Sequence, residues 1–266
     1  MDDTQSGPPF TLLPGAADAP VLLHVPHAAR TVQAVRGGIV LDDAALARES
    51  DHMVDAHTDV LAARAAAAAR RTPWRFVNRL SRLVVDPERF PDAREEMRKV
   101  GMGAVYTRTS DRLPLRAPDF DERPLLDRYF HPYAHAMTEA VRERLAAAGR
   151  AAILDVHSYP THRLPYELHG EGPRPPVCLG ADPFHTPPEL LARAESAFAR
   201  CGTTGRNSPF AGAYVPLEFY GSEPRVTALM LEIRRDLYME EPGGPAGPGL
   251  DLLAEALTEL VDSLAE

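Results

Sequence analysis

Three apolar runs in this sequence each end in residues that can do chemistry. They are Val21-Leu22-Leu23-His24-Val25-Pro26-His27, the run from Ala151 to Val156 that continues into His157-Ser158-Tyr159, and Val226 to Leu231 followed by Glu232-Ile233-Arg234. Apolar runs rich in β-branched residues read as buried strands of a parallel sheet. In open α/β sheets ligands bind beyond the carboxyl ends of the strands. One histidine at a strand end is as easily a satisfied structural residue as a functional one. Two histidines and a glutamate delivered to one rim suit a hydrolytic metal centre, which needs about three protein ligands and an open position to activate water.

His27 and His157 are the best imidazole ligands, because both lie just past strands. His24 sits inside its strand and reads as a core or supporting histidine. A carboxylate would complete a two-histidine, one-carboxylate set. Asp51 is the first choice, with Glu49 and Asp55 behind it. Asp51, Asp55 and Asp59 recur every four residues, on one face of a helix expected from Asp42-Asp43 to about Arg71. Asp155 shares the strand face of His157 and could orient an imidazole. Glu232 is either a general base or the partner of an arginine such as Arg234 or Arg235. Arg79, Arg82 and Arg89 could grip a carboxylate with their forks, although Arg79 reads better as an ordinary surface residue. Tyr106 and Arg108 are further candidates.

The elements that must hold these groups alternate between strand and helix. Residues 1–19 read as a loose arm, and 20–266 as one α/β domain. A second strand is expected at Arg82–Asp86. Residues 91–121 read as an insertion or lid. A helix runs from Arg123 to about Ala148, closed by Gly149, and 162–176 form a loop over the rim. A short strand, Val177–Gly180, precedes Thr186-Pro187-Pro188-Glu189, a capping box that starts the next helix. Asn207–Gly212 is a turn-rich loop, and Leu250–Leu264 a closing helix. The fold class expected is a single-domain α/β protein with a mostly parallel or mixed twisted sheet flanked by helices.

At 266 residues the chain can bury a sizeable core. A net charge of −9 argues against nonspecific binding to nucleic acid or anionic membranes. The expected partner is a small acidic molecule, and a homo-oligomer is compatible with this composition. Lys99 is the only lysine, so a substrate-gripping cation would be a guanidinium. Cys178 and Cys201 imply no disulfide framework. No basic-then-apolar signal pattern opens the chain and no apolar run is long enough to span a bilayer, so the expected compartment is the cytoplasm.

Several segments, in this order, resemble the N-formylglutamate amidohydrolase (deformylase) family, a branch of the zinc-carboxypeptidase-like hydrolases. They are His24-Val25-Pro26-His27, Ser50-Asp51-His52, Ser81 to Arg89 (SRLVVDPER), Asp155-Val156-His157-Ser158-Tyr159, Asn207 to Gly212, and Glu232 to Met239. The resemblance spans about residues 20–240. It implies one zinc ion on His27, Asp51 and His157, with Glu232 as base. It also implies Arg82 polarising the scissile carbonyl and Arg89 holding a substrate carboxylate, with Asn207 and Ser158 completing the pocket. The implied reaction is N-formyl-L-glutamate plus water to formate and L-glutamate, which would link the protein to histidine degradation. The alternatives are a related zinc hydrolase of another acyl amino acid or a modified peptide end, and a non-catalytic binder of acidic ligands. The chain departs from the family pattern twice. Pro26-His27-Ala28-Ala29 stands where the family often has Pro-His-Ser-Gly. Arg30 occupies the position where the carboxypeptidase-like group commonly has a glutamate ligand, so the carboxylate must come from elsewhere.

Overall fold

A computed structural model describes residues 8–169 and 171–265. Seven strands form one mixed sheet: β1 (Phe10–Leu13), β2 (Val21–Val25), β3 (Trp74–Asn78), β4 (Ala151–Tyr159), β5 (Val177–Gly180), β6 (Thr204–Arg206) and β7 (Val226–Arg234), in the order β1-β3-β2-β4-β7-β5-β6. β1 on β3 and β5 on β7 are antiparallel, and the other pairs are parallel. The three apolar runs are the central trio β2, β4 and β7. Every residue of β2 and β4 is buried, as parallel strands covered on both faces require.

The helices are α1 (Asp43–Met53), α2 (Thr58–Ala68), α3 (Arg123–Leu125), α4 (His131–Ala148), α5 (Pro188–Phe198) and α6 (Gly249–Leu264). α2, α5 and α6 cover one face, where Leu61, Phe198 and Leu257 pack on Leu23, Leu154, Val156, Leu229 and Leu231. α4 covers the other, where Tyr133, Met137 and Val141 meet Leu22, Ile153 and Ala228. Side chains alternate along a strand. The face that is apolar at Leu22, Ile153 and Ala228 therefore continues, toward the carboxyl ends, into His24, Asp155, His157 and Glu232. Strand periodicity together with the pairing of β2, β4 and β7 places these four polar residues on one side of the sheet. None of the helices among the described residues is long and apolar enough to cross a membrane.

Four expectations are corrected. Phe10–Leu13, read as part of an arm, form the edge strand β1, whereas residues 1–7 of that arm lie outside the described residues. The single helix expected to Arg71 breaks between Met53 and Thr58. There Asp55 N–H donates to the His27 carbonyl at 3.0 Å, Tyr238 Oη donates to the Ala56 carbonyl at 2.8 Å, and His57 turns into the left-handed region at φ 67°. These long-range partners outbid helix propensity, which is a weak prior. The strand expected at Arg82–Asp86 is a turn, and the strand lies upstream at β3. Leu83, Val84 and Val85 are apolar because they are core residues, and the guanidinium of Arg116 takes the Leu83 carbonyl at 2.7 Å in place of a neighbouring strand. Thr186 does not cap α5. Its hydroxyl bridges Asp182 N–H and the Ala228 carbonyl, and Pro187 is the capping position. Residues 91–121, expected as an insertion or lid, contribute to a hydrophobic core. Met97, Val100, Met102, Val105, Tyr106 and Leu115 share a core with Leu83 to Val85.

Candidate active site

His27 leaves the end of β2, and His157 lies near the end of β4. Their Nδ1 atoms are 3.2 Å apart. Asp55, delivered by the break between α1 and α2, places Oδ2 3.1 Å from His157 Nδ1 and 3.6 Å from His27 Nδ1. All three side chains are buried. The outer nitrogen of each ring faces another carboxylate. His27 Nε2 donates to Asp86 Oδ1 at 3.0 Å, and His157 Nε2 lies 3.0 Å from Asp155 Oδ2, close but poorly aligned for a hydrogen bond. With hydrogens on the outer nitrogens, both rings would turn Nδ1 lone pairs inward beside a carboxylate oxygen. That is the donor set and outer support of a histidine–carboxylate metal site.

Electrostatics agree with the geometry. Asp55, Asp86, Glu88 and Asp155 each approach a ring nitrogen within 3.2 Å. Two guanidiniums pair closely with this group, Arg82 with Asp86 at 2.8 Å and Arg235 with Asp55 at 3.2 Å. With neutral imidazoles the four carboxylates exceed the two guanidiniums by two negative charges, which one divalent cation would cancel. Burial would lower the imidazoles, but the carboxylates reverse this and hold His27 above, and His157 well above, the ordinary value. Burial, and then Asp155, push the Glu88 carboxyl up. A cation would displace the protons that the imidazoles otherwise hold.

A family model described as N-formylglutamate amidohydrolase matches residues 19–239. The chain belongs to this amidohydrolase family. The N-formylglutamate amidohydrolase from Ralstonia eutropha JMP134 is 25% identical over 97% of each chain, with a TM-score of 0.81. A gene product of Agrobacterium tumefaciens shares the fold at 21% identity and a TM-score of 0.71, over 97% of this chain and 95% of the other. No curated protein matches the chain in sequence.

Of the residues expected at an amidohydrolase centre, the fold brings His27, His157, Glu232, Arg82, Arg89, Ser158 and Asn207 to one cavity, together with Asp55. It does not bring Asp51. That side chain is half exposed and ion-paired with Arg30, the residue that stands where the wider group has its glutamate. Asp51 is one helical turn before Asp55, but the helix ends between them, so the two carboxylates point apart. Glu49 is buried elsewhere, bound to the backbone N–H and hydroxyl of Ser110. Arg108 turns to the Arg112 carbonyl.

Glu232 sits beside His157 in the β4–β7 register. No arginine closes on it: Arg234 pairs with Asp236, and Arg235 with Asp55. Its Oε2 is buried without a hydrogen-bond partner, and burial, only partly offset by His157, pushes its carboxyl up to about 7. That suits a group that must take and return a proton near neutrality. Arg82 donates to Tyr106 Oη and Asp86, whereas the ion pairs of Arg89 to Asp86 and Glu95 are long, 3.6 and 3.8 Å. Ser158 accepts from Arg235 Nε at 3.2 Å. Asn207, at φ 52°, accepts from Ala181 N–H at 2.8 Å.

Sequence reasoning missed Asp86 and Glu88, and it offered Arg235 to Glu232 where the structure pairs it with Asp55. The signal for the first two was an acidic pair directly after the buried run Leu83-Val84-Val85. His24 Nε2 lies 2.5 Å from Tyr133 Oη, and its Nδ1 lies 2.9 Å from Asp155 Oδ1, close but poorly aligned for a hydrogen bond. The carboxylate of Asp86 is held by Arg82 and Tyr106 while it orients His27. Were the cluster to hold zinc, Asp86→Asn should weaken its binding by about 10–100-fold, read by competition with a fluorescent chelator. Wild-type affinity would remove Asp86 from the support of the site.

Proposed function

We propose that this protein is a zinc-dependent amidohydrolase that cleaves N-formyl-L-glutamate to formate and L-glutamate. The observation that carries the reading is the convergence of His27 Nδ1, His157 Nδ1 and Asp55 Oδ2 beside an unpaired buried glutamate. These three residues would hold the ion. When bound, zinc supplies Lewis acidity and lowers the pKa of water toward neutrality.

The chain's own groups do the rest. Glu232 accepts a proton from the attacking water and returns it to the departing nitrogen, so the carbonyl carbon gains hydroxyl and the amine gains hydrogen. Arg82, held in place by Tyr106 and Asp86, offers a fixed positive charge toward the developing oxyanion. Arg89, less committed to its long ion pairs, anchors a glutamate carboxylate. Arg235 holds Asp55 from behind and ties it to Ser158.

The test is formate release from N-formyl-L-glutamate by the purified protein as isolated, after chelation, and after zinc is restored. Activity should vanish and return with zinc. Full activity in metal-free protein would reject the metal reading. Zinc binding without formate release would reject the substrate.

A further inference from the structure

N-formylglutamate leaves much of this site unfilled. The cavity encloses about 700 Å³, within the range of about 300–1,000 Å³ that holds drug-sized ligands. The acyl group of N-formylglutamate is one carbon bearing hydrogen. Beyond the cluster of histidines, carboxylates and arginines, the walls mix charged groups such as Arg94, Glu96 and Glu218 with an aromatic and aliphatic set, of which Phe90, Leu217 and Tyr220 lie in its outer part.

The outer part of this wall is built rather than accidental. The Tyr220 hydroxyl donates to Asp182 Oδ2 at 3.2 Å, and its ring stacks on His185 at 5.8 Å and meets Phe90 edge-on at 6.5 Å. The guanidinium of Arg94 lies 4.9 Å from the centre of the Phe90 ring. Yet Leu217 and Tyr220 remain 51% and 45% exposed. Phe90 and Tyr220 are held in place, and an apolar group bound in this cavity would cover them together with Leu217.

We propose that the same centre also hydrolyses N-acyl-glutamates with an aromatic acyl group, the ring seated against Phe90, Leu217 and Tyr220. This rests on the amidohydrolase reading above. That reading puts the amide at the His27–Asp55–His157 cluster and the glutamate carboxylate at Arg89, and the proposal gives the rest of the same cavity to whatever the acyl carbon carries. For formyl that is a hydrogen, and the wall stays wet. For benzoyl it is a ring that covers the wall. Water adds across the C–N bond as before: N-benzoyl-L-glutamate becomes benzoate and L-glutamate, with no other reactant.

The experiment compares kcat/KM of the zinc-loaded protein for N-formyl- and N-benzoyl-L-glutamate, reading released glutamate in both. The benzoyl compound should be cleaved at least as efficiently, although its carbonyl is less electrophilic, because burying the ring is worth about 10–100-fold. Leu217→Ser and Tyr220→Ala should each lower the benzoyl-to-formyl ratio by about tenfold. Arg89→Ala should weaken both substrates and leave the ratio in place. Cleavage of the formyl compound with the benzoyl compound below a tenth of it overturns the inference and spares the parent reading. An unchanged ratio in both wall variants also overturns it. Failure of the zinc-loaded protein on both substrates takes down the parent reading, and the inference with it.

Discussion

On the proposed reading, Glu232→Gln should bind zinc as the parent protein does and lose turnover, with kcat falling by about 10²–10⁴-fold. The substitution preserves shape and volume, so the packing of β7 against β4 and β5 is undisturbed. What it removes is the ability to accept a proton. The position is unusual because Oε2 is buried with no hydrogen-bond partner and neither neighbouring arginine is paired to it. A buried polar atom left this way is costly unless a ligand or ordered water meets it. Steady-state kinetics beside metal analysis separate the outcomes. Unchanged kcat would remove Glu232 as the base. Lost metal would show instead that its charge helps retain the ion.

The second large effect distinguishes two carboxylates four residues apart. Asp55→Ala should abolish stable zinc binding and destabilise the fold by about 3–5 kcal/mol, because it leaves the buried guanidinium of Arg235 without its anion. Asp55→Asn keeps an acceptor for Arg235 and should fold, yet bind zinc poorly and turn over slowly. Asp51→Ala breaks an exposed pair with Arg30 and should cost no more than about 1 kcal/mol, with metal content intact. Chemical denaturation and metal content on the three variants decide the matter. Metal lost from Asp51→Ala and kept in Asp55→Asn would reverse the assignment.

The sequence by itself determined the central strands and what they carry. Apolar runs ending in His27, His157 and Glu232 could be read directly, because a buried parallel strand must be apolar and its polar residues then stand out. The period of two also placed Asp155 and His157 on one face of β4, since alternation is local geometry, whereas the pairing of β2, β4 and β7 brought His24 and Glu232 to that side. Tertiary structure decided the rest. Asp51, Asp55 and Asp59 are equivalent on an unbroken helix. The break that singles out Asp55 is made by the His27 carbonyl and by Tyr238, groups remote in sequence. Leu83-Val84-Val85 reads as a strand because core burial and strand burial select the same side chains. Only the position of Arg116 shows that the Leu83 carbonyl is satisfied without a sheet. Asp86, Glu88 and Arg235 acquire meaning only when a turn and a strand end bring them against two imidazoles. Which charge meets which is a property of distance in space, and spacing along the chain does not encode it.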